Sequence, residues 1–188
     1  YADTLPADDG DETDVYMRTL ADVGTALGVC SKATVNQNIG DNEAFNLTDA
    51  TLAAWMVAGL SNHTKCKDQI SSLQTLEDKK YIFGLKYVGM SGVRFNGDHT
   101  CVATVIDAEG NINEHTISYG RTLDKASREL RKAYLPKVKT TQPVDPTTGK
   151  LPTGVVAYFN NIGLDVFGDM QDRGEISQGF VSVDPNSD

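Results

Sequence analysis

The stretch Arg121 to Leu151, RTLDKASRELRKAYLPKVKTTQPVDPTTGKL, is the part of the chain around which the rest is read. Leu123, Ala126, Leu130 and Tyr134 recur at helical spacing, which predicts an amphipathic helix with one stripe toward a core. Lys125, Arg128, Arg131 and Lys132 then point outward. Thr122 suits the N-cap, and Asp124 suits the positive helix end and can pair with Arg128 one turn later. Pro136 stops the helix. Gln142 to Gly149, with two prolines and a glycine, continues neither periodic structure and reads as a polar surface connector.

Charge sets this stretch apart. Between Arg121 and Lys139 there are seven basic and two acidic residues, a local balance of +5 in a chain whose net charge is −9. A cationic face on an anionic protein suits another copy of itself, or another acidic partner, better than nucleic acid. The plain alternative is a solvated helix whose lysines keep the protein soluble.

A chain of 188 residues suffices for one domain with a sizeable core. We expect a mixed α/β fold, a mixed β-sheet flanked by helices, over residues 15–188, preceded by an acidic flexible arm over 1–14. That arm holds six carboxylates and no base. No apolar run approaches the roughly 20 residues needed to cross a bilayer, so no membrane insertion is expected. The start at Tyr1 lacks both an initiator methionine and signal-peptide character, which suggests a processed chain or a fragment. Cys30, Cys66 and Cys101 are odd in number and well separated, which favours reduced thiols. The sequons at Asn46 and Asn62 are discounted as chance matches.

Along the chain, Val15 to Leu27 predicts a short helix ended by Gly28, followed by a strand over Val29 to Val35. Ala50 to Leu60, apolar nearly all round and holding Trp55, reads as a buried helix. Ile70, Leu73 and Leu76 share the face of a third. Tyr81 to Val88 and Val93 to Asn96 read as strands, Cys101 to Ile106 as an interior strand, and Ile112 to Ser118 as its hairpin partner. Val155, Phe159, Ile162, Val166 and Met170 form a helical stripe ending at Gly174, and Phe180 to Val183 is a last strand.

Chemical motifs are few. Gly89-Met90-Ser91-Gly92 places its second glycine one residue early for a nucleophile elbow, and no phosphate-cradling or dinucleotide glycine pattern occurs. No cofactor and no enzymatic activity are expected. His63, Cys66, His99 and Cys101 offer two nitrogens and two thiolates, the donors of a tetrahedral zinc site, if their segments meet. A small cytosolic α/β protein with a structural or catalytic zinc site is therefore the alternative reading.

From about Lys80 to Pro185 the order of short motifs resembles contractile tail sheath proteins of phages and related injection machines. The residues are Lys80-Tyr81-Ile82-Phe83, Gly89, Gly92-Val93, Phe95-Asn96, Arg121-Thr122-Leu123-Asp124-Lys125-Ala126, Leu135-Pro136, Val144-Asp145-Pro146, Gly149-Lys150-Leu151, Gly174-Glu175-Ile176-Ser177 and Val183-Asp184-Pro185. Gly24 to Ile39 adds an upstream match. The resemblance implies hexameric rings stacked into a helical tube around an inner tail tube protein, which contraction drives through an envelope. It implies a place in a virion tail or contractile injection apparatus, assembled in the bacterial cytoplasm. In such families terminal arms pair as strands with neighbours. This chain, ending at Asp188, is expected to be a core trimmed of those arms. On this reading Arg121, Lys125, Arg128, Arg131 and Lys132 carry contacts between subunits, and Phe180, Val181 and Val183 lie near the docking edge.

Overall fold

The computed structural model describes residues 2–3, 23–48, 60, 64–110, 112–113 and 115–186. In chain order these form strand β1 (Ala2–Asp3), helix α1 (Val23–Lys32), a 3-10 turn (Cys66–Asp68), helix α2 (Ile70–Asp78) and strands β2 (Ile82–Leu85) and β3 (Arg94–Phe95). Helix α3 (Ile117–Tyr134), a second 3-10 turn (Leu135–Lys137) and helix α4 (Thr153–Asp172) follow. The secondary structure is mixed α/β. Two compact units are formed by residues 1–120 and 121–188, where one domain over 15–188 was expected. Their boundary falls inside α3, and helical periodicity runs through it without a break that composition could report.

In the first unit β2 is the central strand. β1 pairs with it in parallel, Ala2 opposite Ile82, and β3 in antiparallel fashion, Gly84 opposite Phe95. Alternation along β2 sorts its side chains between two cores. Ile82 packs with Val93, Phe95, Val29 and Ala33, while Phe83 packs with Leu60, Cys66, Leu73 and Leu76. Residues of α1 and α2 thus cover opposite faces of the small sheet. Burying Phe83 stabilises the unit by about 1.5 to 3 kcal/mol relative to leaving it exposed. Asn96 ties the β2–β3 pair at its end: its Oδ1 accepts from Phe83 N at 2.9 Å and its Nδ2 donates to Tyr81 O at 3.2 Å.

Several expectations change here. β1 lies inside the acidic arm, because pairing uses backbone groups that side-chain composition does not report. Residues 4–22 and 49–59, including most of the expected helices over Val15 to Leu27 and Ala50 to Leu60, lie outside the described residues. α1 runs through Gly28 to Lys32 in place of a strand over Val29 to Val35. Burial of Val29 and Ala33 outweighs the roughly 1 kcal/mol that a helical glycine costs. No strand forms over Cys101 to Ile106. Among the described residues the hairpin is reduced to isolated bridges, Ile106 with Ile112 and His99 with Thr116, with Asn113 Nδ2 donating to Ala103 O at 2.9 Å and Val105 N donating to Asn113 Oδ1 at 2.9 Å. Val102, Val105 and Ile106 are exposed, since apolar, β-branched composition does not by itself supply a partner strand.

α3 begins at Ile117, five residues before the expected cap. Thr116 is the capping residue, its Oγ1 accepting from Tyr119 N at 3.2 Å, and the buried Asp98 accepts Ser118 N through Oδ2 at 2.9 Å. A carboxylate folded back from 20 residues upstream satisfies the helix end, which a local sequence window cannot show.

In the second unit Tyr134 Oη donates to Phe159 O at 2.7 Å and joins α3 to α4. The approach requires Gly163, where a Cβ would lie 2.6 Å from that hydroxyl and 2.8 Å from Val181. Burial raises the Tyr134 phenol above its ordinary value. The connector closes as its prolines and glycine predict, with Gly149 N donating to Asp145 O at 2.7 Å and Thr147 N to Asp145 Oδ1 at 2.8 Å. Phe180 to Val183 forms no strand. Val183 N donates instead to Asn160 Oδ1 of α4 at 3.0 Å.

Candidate functional site

The basic helix face divides into residues held within the unit and residues left to solvent. Lys125 Nζ donates to Glu175 Oε1, which also accepts from Arg173 Nε at 3.3 Å. Lys125 therefore belongs to an internal link between α3 and the end of α4, where the sequence placed it among the outward residues. Arg121 and Lys125 are half-buried, whereas Arg128, Arg131 and Lys132 are exposed. Lys132 lies 3.7 Å from Glu129 on the same helix face, a pair with little net effect on stability.

The stripe expected to face the core is only partly covered: Ala126, Leu130 and Tyr134 are half-buried, and Leu123 is exposed. Beyond the helix, Leu135 and Val138 are 61% and 60% exposed, and Lys137 Nζ sits 5.4 Å from the centre of the Tyr158 ring. Of the other expected interface residues, Phe180 is 83% exposed, while Val181 and Val183 are half-buried. The solvent-facing surface is therefore mixed, with cations and large apolar side chains side by side. The apolar half was missed in the sequence because Leu135 and Val138 lie past Tyr134, on either side of Pro136 and outside the helical period. Glu175 was missed as a functional neighbour of Lys125 because no periodic relation links positions 50 residues apart.

Among the described residues the zinc donors Cys66, His99 and Cys101 form no metal-binding group. Cys66 is buried and its thiol donates to Gly84 O at 3.2 Å, His99 Nε2 lies 3.8 Å from Glu77 Oε1, and Cys101 is exposed. His63 lies outside the described residues, among which no group of three or more metal-binding side chains occurs. Gly89 lies in a turn closed by Met90 N donating to Tyr87 O at 3.2 Å, and both Gly89 and Gly92 have positive φ. A Cβ on Gly92 would lie 2.0 Å from Asn46 Oδ1, so glycine is demanded there by packing. Among the described residues no helix is long and apolar enough to cross a membrane. No protein family, curated protein or solved structure matches the chain.

Proposed function

We propose that the chain is a structural, non-enzymatic subunit of a contractile sheath, which polymerises into a helical tube around an inner tube protein and contracts to drive injection. The supporting observation is the exposed Arg128, Arg131 and Lys132 face in a chain of net charge −9, bordered by exposed Leu135 and Val138. Such a surface suits acidic faces of neighbouring copies. Its setting is a virion tail or an injection apparatus, assembled in the bacterial cytoplasm. Arg128, Arg131 and Lys132 carry the inter-subunit electrostatics, and Phe180 supplies an apolar contact. Repacking of those charges accompanies contraction. Lys125 stabilises the subunit rather than the tube.

Negative-stain electron microscopy of the complete gene product, expressed alone, tests the proposal. Hollow tubes or stacked rings are expected, and charge reversal by Arg128→Glu with Arg131→Glu should reduce their yield. Compact monomers from the complete product would remove the sheath reading.

A further inference from the structure

Residues 121–188 contain nine basic and nine acidic side chains, so the entire net charge of −9 resides in residues 1–120. The two compact units therefore differ in electrostatic character as well as in fold. Each also carries large apolar side chains open to solvent, close together along the chain. In the second unit, Leu135, Val138 and Tyr158 are exposed, with the exposed cations Arg131 and Lys132 in the preceding turn of α3. In the first unit, Val102, Val105 and Ile106 are exposed, the last at 64%, and the turn that follows adds the exposed acids Asp107 and Glu109.

One patch is apolar and basic, the other apolar and acidic. We infer that the end of α3 in one copy docks on the 101–110 loop of a second copy, apolar side chains at the centre and opposite charges at the rim. The inference rests on the sheath reading in taking a second copy as partner, and it names the two surfaces that meet. The apolar sequence of Cys101 to Ile106, expected to lie in the interior of a sheet, is then covered by a neighbour. Pairing of two basic patches, or of two acidic ones, is opposed by like charge. The contact is therefore head-to-tail, and each copy keeps one free surface of each kind, so growth continues into rings or a helix.

Two variants of the full chain separate this arrangement from a symmetric one. The first carries Arg131→Glu with Lys132→Glu; the second carries Val105→Ser with Ile106→Ser. All four positions are exposed, and circular dichroism checks that both variants keep the fold. In sedimentation velocity at low ionic strength, the natural chain should self-associate. That association should weaken in about 1 M salt, where the screening length falls to about 3 Å. Each variant alone should sediment as a monomer. Mixed, they should form a one-to-one dimer and nothing larger, since the first retains its loop and the second its basic patch.

A mixture that stays monomeric while the natural chain assembles would overturn the head-to-tail contact and leave the sheath reading standing. Variants that associate as well as the natural chain would do the same. A natural chain that stays monomeric would also overturn it, and tube formation by the complete gene product would then decide the sheath reading separately.

Discussion

Glu175 shows how one side chain can fix the relation between two helices. Its Oε1 accepts from Lys125 on α3 and from Arg173 at the end of α4, while Oε2 is buried with no hydrogen-bond partner. The hydrogen bond from Lys125, opposed by burial and aided by Arg173, holds the carboxyl below its ordinary value. A carboxylate with a depressed folded pKa contributes stability that is fully present above its unfolded value, about 4.3, and lost as pH falls through the folded value. Glu175→Gln should therefore flatten the acid limb of the stability curve and cost about 1 kcal/mol at neutral pH, a modest figure because Lys125 and Arg173 keep part of their hydration. Urea denaturation between neutral pH and about pH 3 reads both effects. An unchanged acid limb would show that the link contributes nothing. Glu175 was visible in the sequence as a residue after a helix-ending glycine and as part of the Gly174-Glu175-Ile176-Ser177 motif; its partner was not.

Helices α2 and α4 end in the same way on different residues. After α2, Lys80 N donates to Glu77 O at 2.8 Å and Tyr81 N to Leu76 O at 3.0 Å; after α4, Gly174 N donates to Gln171 O at 2.8 Å and Glu175 N to Met170 O at 2.9 Å. Both closures place the first residue past the cap in the left-handed region, with φ of 67° at Lys80 and 69° at Gly174. Glycine adopts that conformation freely, whereas a side chain costs about 1 to 2 kcal/mol. Lys80→Gly is accordingly expected to stabilise the protein by about 1 kcal/mol and Gly174→Ala to destabilise it by a similar amount. Equilibrium unfolding of the two variants checks the pair, and shifts of the same sign would refute the shared geometry. The α4 stop could be read from the sequence because glycine marks it. The α2 stop could not, because a lysine has no backbone signature and is carried into the left-handed region by Leu76 and Tyr81 on either side of it.

At the scale of the whole chain, the distribution of donors bears on the zinc alternative. The Cys66 thiol is buried against the Gly84 carbonyl, His99 faces Glu77, and Cys101 is exposed on the 101–110 loop. Calorimetric titration of the full chain with zinc is expected to show no tight stoichiometric binding, and a one-to-one heat would restore the metal reading. The same view gives the charged surface its meaning. The excess of acid lies in residues 1–120, and the exposed cations of α3 lie in residues 121–188. The proposed association between copies draws on that division, which suits an acidic partner better than a polyanion.

The sequence by itself determined the elements whose signals are local. The basic amphipathic helix, its stop at Pro136, the Asp145 to Gly149 turn and the α4 stripe closed by Gly174 are all set by residues within a few positions of one another. Tertiary structure decided what depends on distant partners. The start of α3 waits on Asp98, the removal of Lys125 from the surface on Glu175, and the persistence of α1 past Gly28 on a core formed with the sheet. Phe180 to Val183 has strand-like composition, yet Asn160 takes the Val183 donor. Composition records what a side chain prefers, whereas a backbone hydrogen bond or a buried ion pair goes to whichever partner the packed chain brings within reach.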